Sequence, residues 1–139
     1  MICLEKSYGP NHIEVADLLN SMGLILKKRA DYEGAQKYYE RAIKIAHETF
    51  GYDQDHYKLG IYYNNLGDLE RKRTHFDAAL RLYQRALTCI EKTLGAQHSE
   101  AADILHNIGL VQHQLGSIVL FFLCIIISRL TLVFVRRKL

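Results

Sequence analysis

Tryptophan is absent from this 139-residue chain, and proline occurs once, at Pro10. Proline removes a backbone donor and breaks helix interiors, so its scarcity leaves room for long helices. No stretch before residue 116 alternates apolar and polar residues, so nothing there predicts a half-buried strand. Cys3, Cys89 and Cys124 have no metal-ligand spacing, and an odd count argues against a disulfide framework. They read as reduced core side chains in a cytosolic setting. A net charge of +3 is too small to imply nucleic acid, and no aromatic platform interleaves with the basic residues. There is no nucleophile motif, no glycine-rich phosphate loop after a strand and no distinctive carboxylate pair. The expectation is a non-enzymatic protein that needs no cofactor. Residues 1–8 are too short and too polar for a signal peptide.

What the chain does have is a repeat. Residues 32–45 return at 76–89, an offset of 44 throughout: Ala35 maps to Ala79, Tyr39 to Tyr83 and Ala42 to Ala86. Small residues seven apart, with a tyrosine between them, share one face of a helix. Alanine lets a neighbouring helix approach, and the ring fills the gap beside it. A repeated contact face implies a repeated partner, so the unit is one layer of a solenoid.

The connections repeat as well. Gly9, Gly51 and Gly95 each follow a helix of this kind, where glycine suits a left-handed residue. His12, His56 and His98 come next and read as capping or packing residues. Eleven residues past each histidine stands another glycine: Gly23, Gly67 and Gly109. Glycine inside a helix costs about 1 kcal/mol relative to alanine, so three in register predict close helix–helix approach. Turns are expected at Ala30-Asp31, Thr74-His75 and Gly116-Ser117.

These units resemble tetratricopeptide repeats, in particular the long form of kinesin light chains and nephrocystin-like scaffolds. Leu19, Gly23, Ala35, Tyr39 and Ala42 carry the resemblance in the first unit, and Tyr63, Gly67, Ala79, Tyr83 and Ala86 in the second. The implied fold is all-α, a right-handed solenoid of helix pairs over residues 1–116. It divides into a partial repeat (1–8), repeats 9–50 and 51–94, and an incomplete repeat (95–116). The resemblance places ligand contacts on the first helix of each pair. The matching positions include Asn20 and Lys27, then Asn64, Asp68, Arg71 and Lys72, then His106 and His113. Side-chain amides at 20 and 64 can pair with an extended peptide backbone. The basic runs 27–29 and 71–73 suit an acidic or phosphorylated segment, so an acidic peptide or partner helix is the expected ligand. The same cations stand in last helical turns, where they also offset the macrodipole. His106 and His113 are seven apart, but no histidine pair stands at i, i+4, so no metal is expected.

Beyond residue 116 the pattern changes. Positions 118–135 hold 14 Ile, Leu, Val or Phe residues and one charge, Arg129. On an insertion scale those residues favour a bilayer by roughly 4–8 kcal/mol against about 2.5–3.5 for a central arginine. The segment 117–139 therefore reads as a possible transmembrane tail anchor with the repeats facing the cytosol. The alternatives are a closing helix of the solenoid, or unrelated sequence in place of a repeat's second helix. Phe121, Ile125 and Ser128 stand where Ala, Tyr and Ala stood before. Incomplete repeats also leave faces through which the chain could self-associate.

Overall fold

Histidine side chains set the starts of three helices. The computed structural model describes the backbone of residues 9–137 and the side chains of residues 9–120, 122, 123 and 126. The partial repeat expected at 1–8 lies outside these residues. Among the described residues there are five helices and no strand: α1 (Ile13–Lys28), α2 (Tyr32–Phe50), α3 (Tyr57–Lys72), α4 (Phe76–Leu94) and α5 (Ser99–Arg137). His12, His56 and His98 precede α1, α3 and α5. The Nδ1 of each accepts a hydrogen bond from the backbone N–H two residues on, at 3.3, 3.2 and 3.3 Å. That satisfies one of the donors a helix start leaves unpaired. His56 also stacks on Phe50, with ring centroids 3.7 Å apart.

The two kinds of turn use different chemistry. Gly9, Gly51 and Gly95 have φ of 88°, 99° and 94°, a region that a Cβ makes costly. The turns inside each pair are closed by Ala30 and Thr74, at φ of 62° and 64°. There Asp31 N–H reaches back to Leu26 O and His75 N–H to Glu70 O, the long bond of a Schellman motif. Neither residue is glycine, so each turn carries strain of about 1 kcal/mol.

Packing follows the repeated stripe. Ala35, Tyr39, Ala42, Ile45 and Ala46 are the buried residues of α2, and Ala79, Tyr83, Ala86, Cys89 and Ile90 those of α4. Five positions thus match at the offset of 44. Tyr39 and Tyr83 are fully buried and lie against the glycines of the preceding helix. A Cβ on Gly23 would sit 2.6 Å from the Tyr39 ring, and one on Gly67 2.9 Å from the Tyr83 ring. Gly60 makes a further close approach, to Ile90 and the Ala86 carbonyl. The core runs on between pairs: Val15, Leu19 and Ala42 cluster with Leu59, Tyr62 and Cys89. Cys89 is a free, buried thiol whose pKa burial pushes up to about 11.

The third unit departs from the expected turn. Instead of reversing at Gly116-Ser117, α5 runs through both residues to Arg137. Gly116 is not among the glycines with positive φ. The cause is the composition of the chain past Gly116. It carries no small–aromatic–small stripe, so folding back would break helical hydrogen bonds without a core contact to offset them. Among the described residues no helix is long and apolar enough to cross a membrane. Most side chains of the 118–135 stretch, Phe121, Ile125 and Ser128 included, lie outside the described residues.

Candidate functional site

The first helices of the three units, α1, α3 and α5, lie side by side and are tied by polar side chains. Asn65 Nδ2 donates to Asn20 Oδ1 at 2.8 Å, and Asn107 Nδ2 donates to Asn64 Oδ1 at 3.1 Å. These two bonds are one contact used twice. Asn20 and Asn64 are equivalent at the offset of 44, as are Asn65 and Asn107 at the next offset of 42. The next rung of the series on α5 is His106, which is exposed.

Ion pairs flank this ladder. Asp17 of α1 accepts hydrogen bonds from Lys58 and Tyr62 of α3. At the other end Lys27 of α1 reaches Asp68 of α3, and Arg71 of α3 turns back onto the same carboxylate. The asymmetry has a sequence cause. Arg71 is the equivalent of Lys27, but the position it would reach on α5 holds Leu110 rather than an aspartate. Burial pushes the Asp68 carboxyl up, yet the hydrogen bonds from Lys27 and Arg71 outweigh it and hold it below the usual carboxylate range. Burial also pushes the Tyr83 phenol up to about 12.

Two comparisons with known families now bear on this arrangement. Tetratricopeptide-repeat family models match residues 15–57 and 52–118, which together run from the first turn of α1 to the middle of α5. The chain is a tetratricopeptide-repeat protein. Such repeats generally mediate protein–protein interactions, and proteins built from them are generally non-enzymatic scaffolds. A search of curated proteins found no match.

Within the tetratricopeptide fold the eight expected contact residues fall into three groups. Lys27, Asp68 and Arg71 meet in one cluster. Asn20, only 8% exposed, and Asn64 have their oxygens engaged in the ladder. Lys72, His106 and His113 are the exposed ones of the eight. Among the described residues no three His, Cys, Asp or Glu side chains converge as metal ligands.

Sequence reasoning missed the partners of these residues. Asn65 and Asn107 are both asparagines at the same repeat position, which is a signal that could have found the ladder. Asp55 was missed too. It lies in the longer loop between the repeats, accepts from Lys92 at 2.7 Å and pairs with Arg85 at 2.8 Å. Its carboxyl is held below the usual range, mainly by the Lys92 hydrogen bond. Asp55 thus fastens α4 to the start of α3.

Proposed function

We propose that this tetratricopeptide-repeat protein is an adaptor that holds a partner's peptide or helix along the face of α1, α3 and α5, with a preference for acidic segments. The observation that supports the preference is a charge count at one end of that face. Two cations, Lys27 and Arg71, share the single carboxylate of Asp68. The cluster keeps a net positive charge, and the exposed Lys28 and Lys72 directly follow its two cations in the chain. A carboxylate or phosphate arriving there would complete the pairing. Offsets of 44 and 42 residues favour the long, kinesin-light-chain type of repeat, stacked right-handed, as the setting.

The test is a set of labelled twelve-residue peptides of equal length and graded charge, titrated against the full chain by fluorescence anisotropy. Acidic peptides should bind more tightly than neutral ones and weaken with added salt. Lys28→Glu with Lys72→Glu should remove that preference without lowering the melting temperature. Equal affinity across the charge series would overturn the acidic preference. Loss of all binding with the melting temperature intact would still support the face.

A second reading is favoured by the far end of α5. Ile118, Val119, Leu120, Phe122, Leu123 and Ile126 are all exposed, and three consecutive positions among them cover every side of the helix. We propose that residues 118–135 hold the protein at a membrane, with the repeats on the cytosolic side. A span would have to be completed by residues outside the described ones. Alkaline extraction of membranes should retain the full chain and release a version ending at Gly116. Release of both would overturn this reading.

A further inference from the structure

We propose that the uncovered side of α5 is a second docking surface, distinct from the groove, and that its occupant is a partner's α-helix bearing a small–aromatic–small stripe. Equivalent positions in the three units differ in what covers them. Ala16, Gly60 and Ala102 correspond, as do Gly23, Gly67 and Gly109. On α1 and α3 these positions are buried beneath α2 and α4. On α5 both Ala102 and Gly109 are exposed, and Leu105 between them is 52% exposed.

The shape of the site names its ligand. Gly23 and Gly67 leave notches that Tyr39 and Tyr83 fill, with the alanines on either side letting the backbones approach. Gly109 leaves the same notch on the same helix face, and a Cβ added there would meet nothing within 4 Å. A helix that docks on α5 as α2 docks on α1 brings an aromatic ring into that notch. The interface is therefore a continuation of one the molecule already builds twice.

Candidate occupants narrow quickly. Among the described residues no element covers this face, because α5 continues as helix beyond Gly116. A second copy could offer α2 or α4 only by withdrawing Tyr39 or Tyr83, both fully buried, from its own core. A helix from a different protein carries no such cost.

The probe is a labelled 19-residue peptide with the sequence of α2 (Tyr32–Phe50), titrated against the full chain by fluorescence anisotropy. Saturable binding is expected, with affinity falling at least about tenfold when the peptide carries Tyr39→Ala. In the chain, Gly109→Leu fills the notch. Gly109 is exposed with nothing within 4 Å of an added Cβ, and leucine favours helix, so this variant should melt no lower than the parent. It should bind the peptide at least about tenfold more weakly. Equal binding to the Gly109→Leu chain would mean that the peptide invades a closed helix pair, which overturns the proposal. Absence of saturable binding at about 1 mM peptide would overturn it too. The chain alone should sediment as the same species with and without Gly109→Leu. A dimer that this substitution dissolves would make the occupant a second copy and overturn the assignment to a partner.

Discussion

Gly67 and Gly109 occupy the same place in consecutive repeats, yet a tyrosine ring lies against one and open space surrounds the other. The two closed pairs and the open third unit share a helix-start histidine, a helical glycine and the asparagine ladder. They differ in whether a second helix returns. The comparison separates what makes a helix form from what makes it fold back. Local signals suffice for the first, since α5 starts on His98 as α3 starts on His56. The second needs a ring and two small residues to occupy the notch. Without them the helix continues.

The largest break in this comparison should come from emptying a closed notch. Tyr83→Ala removes a fully buried ring from between α3 and α4. A loss of about 3–5 kcal/mol is expected, measured by chemical denaturation. A loss below about 1 kcal/mol would mean that the ring does not hold the pair together.

Next in size is a sign reversal. Gly67→Ala places a methyl group 2.9 Å from the Tyr83 ring and should destabilise by about 1–3 kcal/mol, despite alanine's better helix propensity. Gly109→Ala meets nothing and should stabilise by about 1 kcal/mol. The same substitution at equivalent sites then moves the denaturation midpoint in opposite directions. Parallel shifts would refute the open-notch description.

The alternation of pairs could be read from the sequence because the fold repeats. One stripe at two registers gave α2 and α4, and the histidines and glycines marked the breaks between them. Gly116-Ser117 shows where this reasoning stops. It has turn-forming residues at the expected spacing, but turn residues permit a reversal and do not compel one. What compels it is burial against α5, a non-local term absent from a window of sequence. The side-chain partners of the candidate contact residues were less legible. Asn20, Lys27 and Arg71 were identified as polar groups on the right helices, but their partners sit more than 40 residues away or share a carboxylate one turn back. Equivalence of Asn65 and Asn107 could have revealed the ladder. Arg71 turning back because Leu110 offers it no carboxylate required knowing which helix faces which.

A third prediction concerns that cluster. Asp68→Ala leaves Lys27 and Arg71 facing each other across α1 and α3, both mostly shielded from solvent. The expected loss is about 1.5–3 kcal/mol, the usual range for hydrogen bonds to a charged group. Leu110→Asp should act the other way in the open unit, giving Arg71 the inter-repeat partner that Lys27 already has. A double variant in which Leu110→Asp recovers part of the Asp68→Ala loss would show that the two positions exchange one role.

The smallest effect is set by pH and belongs to the middle repeat. His56 caps α3 through Nδ1, which must be unprotonated to accept the Lys58 N–H. Burial against Phe50, then the charge of Lys58, lowers its pKa. Because the folded value lies below the unfolded one, the cap's contribution is fully present above the ordinary histidine pKa. It is lost as pH falls through the depressed folded value. The amount at stake is that of one N-cap, about 1 kcal/mol. His56→Asn supplies a cap that does not titrate. It should leave stability at neutral pH nearly unchanged and flatten the decline on acidification. An unchanged acid slope in that variant would place the pH sensitivity outside the middle repeat and detach it from helix capping there.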